Sequence, residues 1–141
     1  MTIRFCAILT GLGLLALLID AQPARGEYLR IDIDVYGMDC GLCARGVAAY
    51  VGRMHGVKSV DVSLKKGLLQ IVLEPGNTLK MADLRKRIRD NGFRSTDAKV
   101  TAKGEFDGAR FVVSGCGDSY KLQKAESPGT VELTFAIPTA E

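Results

Sequence analysis

The chain has 141 residues, of which 47% are hydrophobic and 25% are charged, as in an ordinary globular protein. Its formal net charge of +3 is too weak to indicate nucleic acid or an anionic membrane as the partner. Composition and charge therefore argue against a nucleic-acid-binding protein and leave the function to local motifs.

The first 26 residues have the pattern of a secretory signal peptide. Arg4 supplies the positive charge, residues 5–19 form an apolar run, and Ala24 and Gly26 suit the positions just before a cleavage site. The alternative is an uncleaved N-terminal membrane anchor, but this run is shorter than the roughly 20 residues that a helical span needs. We therefore predict export across the inner membrane to a periplasmic location, with residues 1–26 as the signal peptide.

The remaining chain carries three cysteines, Cys40, Cys43 and Cys116. An odd number of cysteines outside the cytoplasm does not fit a framework of disulfides, because one thiol is always left over.

Hydrophobic periodicity predicts four strands and two helices in residues 27–103. Apolar residues alternate in three segments, as in half-buried strands, and recur at helical spacing in two others. Residues 93–103 form a weaker fourth strand. The predicted core-facing positions are Leu29, Ile31, Ile33 and Val35 in the first strand, Val47, Val51 and Met54 in the first helix, Val60, Val62 and Leu64 in the second strand, Leu69, Ile71 and Leu73 in the third strand, and Met81, Leu84 and Ile88 in the second helix.

Turn residues separate these elements. The first helix is expected to end at His55 and Gly56, and residues 65–67 form a hairpin turn. Residues 75–78 break the chain before the second helix, with Asn77 or Thr78 as its predicted N-cap.

The order βαββαβ predicts an α+β ferredoxin-like sandwich, an antiparallel sheet with two helices on one face, over residues 27–103. From Gly104 the pattern changes to three strand candidates at residues 109–115, 120–125 and 130–137. Residues 104–141 are therefore a β-rich extension, either a small meander added to the sheet or a separate flap.

The motif GMDCGLC in residues 37–43 lies where the first strand leads into the first helix. Cys43 should open that helix, whose N-terminus favours a thiolate. Two thiols three residues apart can bind one soft ion. Met38 is expected to anchor the loop in the core rather than to bind the ion.

A CxxC pair also suits a thiol–disulfide oxidoreductase or a simple disulfide staple. A thioredoxin-like domain needs a cis-proline beside its active site. The prolines after residue 26 are Pro75, Pro128 and Pro138, and Pro75 already belongs to the predicted turn before the second helix, which argues against such a domain. A Cys40–Cys43 staple closes too short a loop to constrain the unfolded chain. No other catalytic set is visible, so metal binding without enzymatic activity is favoured and a redox protein is the alternative.

Residues 28–103 resemble the heavy-metal-associated domain, whose members carry and export copper, zinc and mercury. The resemblance rests on GMDCGLC, on the stretch from Gly46 to Gly76, and on LRKRIRDNGF in residues 84–93. It implies that Cys40 and Cys43 hold one soft or borderline metal ion. It also implies that the ion passes by thiolate exchange to a membrane metal transporter or to another CxxC domain.

Asp39 departs from the threonine that is commoner at this place in copper and mercury carriers. MDCxxC resembles instead the zinc, cadmium and lead exporting ATPases, which implies Asp39 as a further ligand. A carboxylate oxygen suits Zn²⁺ better than Cu(I). The alternative is that Asp39 caps the first helix, so Cu(I), Zn(II) and Hg(II) all stay open.

Other candidate side chains lie away from the motif in sequence. His55 is about 18 Å from Cys43 along the first helix and cannot reach the same ion. Cys116 becomes a third ligand if a fifth strand rises beside the fourth, and is otherwise a loop thiol. The basic run in residues 84–89 is a solvated face or a dock for an acidic partner.

Phe93 and Arg94 are predicted to lie beside the metal loop. A ring or a cation there would steady the negative charge of a Cu(I) dithiolate site. The alternative is that Phe93 begins the fourth strand as a core residue and that Arg94 lies in solvent.

Overall fold

The computed structural model describes residues 27–106, 109–122 and 129–138, so the predicted signal peptide lies outside the described residues. The elements in chain order are β1 (Glu27–Tyr36), α1 (Gly41–Gly52), β2 (Val57–Ser63), a 3₁₀ turn (Leu64–Lys66), β3 (Leu68–Leu73), α2 (Met81–Asp90), β4 (Arg94–Phe106), β5 (Arg110–Val113), β6 (Asp118–Lys121) and β7 (Gly129–Ile137). Within these ranges, neither helix is long and apolar enough to cross a membrane.

The strands form an antiparallel sheet in the spatial order β2-β3-β1-β4, continued by β5 and β6, with β7 also paired to β4. The register joins Ile31 of β1 to Ile71 of β3 and to Val100 of β4. All three side chains are fully buried. The predicted ferredoxin-like order is therefore confirmed, with a β extension at its C-terminal side.

The two helices cover one face of this sheet. α1 buries Ala44, Val47 and Val51, and α2 buries Met81, Leu84 and Ile88. These side chains join the sheet residues in one hydrophobic core. Complete burial of a single aliphatic side chain contributes about 1.5–3 kcal/mol, so the apolar faces of the two helices stabilise their packing on the sheet.

The predicted core face of β1 is wrong at Leu29. Tyr28 is fully buried and Leu29 is partly exposed. The reason is a bulge, because Tyr28 pairs with Ala102 while Arg30 pairs with Thr101, which leaves Leu29 as an extra residue. A bulge shifts the alternation by one position, and a local pattern of apolar residues does not reveal it.

Two predicted boundaries are also wrong. α1 ends at Gly52 rather than at His55 and Gly56. β2 ends at Ser63, and Leu64 belongs to the 3₁₀ turn, where it is 45% exposed. A residue in that turn no longer follows the alternation of the strand, so Leu64 does not face the core.

The predicted N-cap of α2 is wrong as well. The helix begins at Met81, and the residue at the N-cap position is Lys80. Asn77 is buried earlier in the loop, where its Nδ2 donates to the carbonyl oxygens of Tyr28 at 2.8 Å and Glu74 at 2.7 Å. Its amide therefore fastens the loop to β1 instead of starting the helix.

The extension continues the sheet. β4 runs through Gly104 to Phe106, and β7 pairs with it from Ala98 to Phe106. β5 pairs with the last two residues of β4, and β6 pairs with β5. Of the two arrangements expected for this region, the addition to the sheet is observed, with β6 beginning at Asp118 instead of residue 120. Only β4, β5 and β6 among the described strands follow one another as a meander, because β7 returns to pair with β4 rather than with β6.

Candidate metal centre

The loop that carries the cysteines is anchored at its start. β1 ends at Tyr36, and Gly37 has φ +94°, a conformation that glycine adopts without strain. Met38 then turns inward, is 5% exposed and packs in the hydrophobic core. The prediction that Met38 anchors the loop is confirmed.

Cys40 is the N-cap of α1, which begins at Gly41 and thus earlier than the predicted start at Cys43. The backbone of Cys40 is extended, and its Sγ accepts a hydrogen bond from the Cys43 N–H at 3.1 Å. The Cys40 carbonyl accepts from the Ala44 N–H at 3.0 Å. The helix thus begins at the first cysteine of the motif because that side chain satisfies one of its free N–H groups.

Cys40 and Cys43 form a disulfide, with their Cα atoms 5.1 Å apart. Cys40 is exposed and Cys43 is partly exposed. Neither sulfur is a free thiolate in this form, so the pair must first take up two electrons to bind a metal ion. Two sulfurs that meet in a bond also lie close enough to converge on one ion after reduction.

Asp39 is exposed beside this pair. The alternative that Asp39 caps α1 is wrong, because the N-cap is Cys40. Over the residues that the structure describes, no group of three or more His, Cys, Asp or Glu side chains is placed to hold a metal ion. A ligand role for Asp39 stays a prediction.

The β2–β3 turn and the start of β4 lie at the same end of the sheet as the cysteines. The Val35 N–H donates to the Gly67 carbonyl at 2.7 Å, which places the two exposed lysines of the 3₁₀ turn near the end of β1. Tyr36 pairs with Arg94. We call this the cysteine end, and the end where β1 begins the opposite end.

Phe93 lies beside the start of the loop that carries the cysteines, residues 37–40. A Cβ atom placed on Gly37 would lie 3.6 Å from Cδ1 of the Phe93 ring. The Phe93 N–H donates to the carbonyl of Ile88 at 3.2 Å, which fixes the chain just after α2. Phe93 is partly buried against the core, whereas Arg94 is exposed. The Phe93 ring therefore packs against the core next to Gly37.

His55 lies at the opposite end. It follows the last turn of α1, and the neighbouring Gly56 carbonyl accepts from the Glu74 N–H at 2.8 Å, beyond the end of β3. The prediction that His55 cannot share an ion with the cysteines is confirmed.

Cys116 lies at the opposite end, in the turn between β5 and β6, so the loop-thiol alternative is confirmed and the third-ligand alternative is wrong. The residues of β4 that pair with β5 are its last two, Glu105 and Phe106, so β5 does not return to the cysteine end. Cys116 is a buried free thiol whose Sγ lies 3.6 Å from the Val113 carbonyl. Burial raises the pKa of this thiol to about 11, so it stays protonated at neutral pH.

The basic run in residues 84–89 is partly used inside the fold. Arg85 donates to the Thr96 carbonyl at 2.6 Å and to the Ile137 carbonyl at 3.5 Å, and burial lowers its pKa. Lys86 pairs with Asp90 at 2.5 Å on the helix surface. A dock for an acidic partner on the remaining arginines stays a prediction.

Comparison with known proteins identifies what this arrangement is similar to. Residues 32–94 match the heavy-metal-associated domain family. The copper-transporting ATPase RAN1 of Arabidopsis thaliana is 26% identical over 116 residues, and the copper-exporting P-type ATPase of Bacillus subtilis is 28% identical over 115 residues. These matches cover 79% and 80% of this chain but only 12% and 14% of the two ATPases. The solved copper-binding domain from HMA7, a P-type ATPase, is 30% identical, with 51% of this chain and 92% of that chain covered and a TM-score of 0.44.

Proposed function

Residues 32–94 belong to the heavy-metal-associated domain family, and from this premise we propose that the chain binds one soft metal ion between the thiolates of Cys40 and Cys43. The observation that carries the proposal is the placement of both sulfurs at the exposed start of α1, close enough to bond to each other. Thiolates are the protein ligands that soft ions prefer.

The proposed action is transfer of the ion by ligand exchange. Reduction of the disulfide gives two thiols, and each loses a proton as it binds the ion. A thiolate of the partner then adds to the ion while one cysteine sulfur leaves and takes up a proton, and a second exchange completes the transfer. The Cys43 N–H donates to Cys40 Sγ in the disulfide form, and we infer that the same N–H stabilises this sulfur when it leaves the ion.

We propose Cu(I) as the cargo. Two thiolates are enough for Cu(I), whereas structural Zn²⁺ sites use four ligands. The relatives named for copper transport and export support this choice. Zn(II) is the ion that a ligating Asp39 would favour, and Hg(II) shares the preference for sulfur.

The proposed partner is a membrane metal transporter or another CxxC domain, and the proposed location is the periplasm. The partner proposal draws on the P-type ATPases among the relatives. The location draws on the signal-peptide pattern of residues 1–26, which lie outside the described residues. We propose a carrier without catalytic activity. Cell fractionation tests the location directly, since a mature chain that stays with the membrane would favour the N-terminal anchor.

A thiol–disulfide redox protein is the second candidate, because the pair is bonded as a disulfide in the structure. The two candidates differ in what the CxxC pair does. A redox protein exchanges its disulfide with substrate thiols catalytically, whereas a metal carrier binds a stoichiometric ion only when reduced.

One experiment separates them. The reduced chain is titrated with Cu(I), Zn²⁺ and Hg²⁺ and the bound ions are counted, beside the Cys40→Ser/Cys43→Ser double variant. We expect one ion per chain for the wild type and none at comparable affinity for the variant. Equal binding by the two proteins would remove the cysteines from the site. Catalytic reduction of a disulfide substrate together with no bound ion would favour the redox protein.

A further inference from the structure

The start of α2 is capped from a distant part of the chain. Lys80 at the N-cap position makes no side-chain hydrogen bond to the helix. The first N–H groups of a helix have no partner within it and need one elsewhere. The Met81 N–H donates to Oδ2 of Asp118 at 3.0 Å, although Asp118 lies 37 residues later at the start of β6.

The same carboxylate also holds β1. The Tyr28 hydroxyl donates to Asp118 Oδ2 at 2.6 Å, and it contacts the hydroxyl of Tyr120, which lies 3.4 Å from that oxygen. Burial is the main cause that raises the pKa of Tyr28, and its hydrogen bond to Asp118 is the second. Burial also raises the pKa of Tyr120 to about 12. Both phenols are therefore protonated donors at neutral pH, and β1, α2 and β6 meet at one oxygen atom.

Aromatic side chains of the β5–β6 hairpin pack against β7. Phe111 is fully buried and meets Phe135 of β7 edge to face, with ring centroids 5.4 Å apart. Tyr120 stacks at a tilt on the same Phe135 ring at 5.0 Å. A Cβ atom on Gly104 would lie 2.7 Å from the Phe111 ring and would also collide with the Val112 carbonyl. Glycine at residue 104 thus allows β5 to approach β4 closely.

We propose that the β5–β6 hairpin is a latch that closes the opposite end of the domain, with Asp118 capping α2 while it accepts from Tyr28. The hairpin then belongs to the same cooperative folding unit as the βαββαβ core, although residues 32–94 alone match the family. The latch leaves the cysteine end open, since Tyr28 and Tyr36 stand roughly 26 Å apart along β1 at about 3.3 Å per residue. The proposal rests on these contacts and is independent of metal binding.

Amide hydrogen exchange in the full chain tests the latch, because it reports local opening residue by residue. Asp118→Ala removes the shared acceptor. We expect roughly tenfold faster exchange at the Met81 amide, the scale of losing one helix cap, together with faster exchange at the paired amides of β5 and β6. Asp118→Asn keeps one acceptor oxygen and should show an intermediate effect at both places. Ser119→Ala, at an exposed position on the same strand, is the matched control and should leave both unchanged.

The pattern of exchange decides the question. Faster exchange at α2 and the hairpin together supports the latch. A change confined to Met81 would make Asp118 a cap without a latch, and unchanged exchange at both places would remove Asp118 from any such role; either result overturns the proposal. If Asp118→Ala does not fold, Asp118→Asn and Tyr120→Phe carry the same comparison, since each weakens the cluster without removing a core side chain.

Discussion

Cys40 Sγ accepts a hydrogen bond from the Cys43 N–H at 3.1 Å, so the first cysteine of the motif is also the cap of the helix that carries the second. The proposed ligand pair and the start of α1 therefore share the Cys40 sulfur. A substitution of Cys40 removes one sulfur of the proposed metal site. It also removes the helix cap, unless the new side chain keeps a hydrogen-bond acceptor.

Cys40→Ser separates the two roles. Serine is a good N-cap residue but a poor ligand for soft ions. We expect the reduced variant to bind no Cu(I) at wild-type affinity while its unfolding temperature stays close to that of the reduced wild type. Cys40→Ala loses the cap as well and should be less stable by about 1 kcal/mol. Metal titration and thermal unfolding of both variants check this, and an equally stable alanine variant would show that the cap contributes nothing.

Asp39→Thr tests the carboxylate as a ligand. If Asp39 binds the ion, its removal takes away a hard oxygen, and preference shifts from Zn²⁺ toward Cu(I). Competition titrations with both metals on both proteins measure the ratio of affinities. Because the N-cap is Cys40, loss of Asp39 should leave the start of α1 intact. An unchanged ratio would show that Asp39 is not a ligand.

Arg94→Glu tests the charge around the site. A Cu(I) dithiolate carries a net negative charge, which a cation at the cysteine end stabilises. Arg94 is exposed, so solvent screens it, and we expect Cu(I) binding to weaken by no more than about fivefold at low salt and less at high salt. Lys58→Glu, an equal charge change on β2 toward the opposite end, is the control. Equal effects of the two variants would point to overall charge rather than to Arg94.

Gly104→Ala should destabilise the domain. Its Cβ would meet the Phe111 ring and the Val112 carbonyl, and relief of such overpacking typically costs about 1–3 kcal/mol. Gly46→Ala is the matched control, because a Cβ atom at that helical position meets nothing within 4 Å. It should stabilise α1 by roughly 0.5–1 kcal/mol. Denaturant unfolding of both variants measures the contrast, and destabilisation of the same size in both would show that β5 gives way easily.

Cys116 should resist alkylation in the folded protein. Burial raises its pKa to about 11, so the thiolate that reacts is scarce at pH 7.5. Since the folded pKa lies above the usual value of 9.0, the stability that this thiol contributes is full below about pH 9 and is lost as the pH rises through 11. Peptide mapping after brief alkylation of the reduced chain should label Cys40 and Cys43 first. Rapid labelling of Cys116 at pH 7.5 would contradict its burial.

The parts of the fold that follow from short-range pattern were predictable. Ile31 and Ile33 alternate with polar residues, and Val47 and Val51 recur at helical spacing, so their burial is visible in the sequence. The position of the cysteine loop followed from the same order of elements. Met38 was assigned to the core because a methionine in such a loop more often packs against apolar residues than binds an ion.

The parts that depend on distant pairing were not predictable. The bulge at Leu29 exists only because of the register with β4, and a single strand does not encode it. The cap of α2 comes from Asp118, whereas a search for caps in sequence looks only at the few residues before the helix. The location of Cys116 was missed for the same reason, since it depends on which residues of β4 pair with β5.

The pairing of β7 along β4 also bears on how copies of the chain meet one another. In the order β2-β3-β1-β4, β4 would be an outer strand of 13 residues whose free N–H and C=O groups could recruit strands from other molecules. β7 occupies this row from Ala98 to Phe106, and its outer positions include the exposed Glu132 and Thr134. Charged and polar side chains on an outer strand discourage further pairing. The extension thereby covers the edge of β4 and leaves β7, with these side chains, as the outer strand on this side of the sheet.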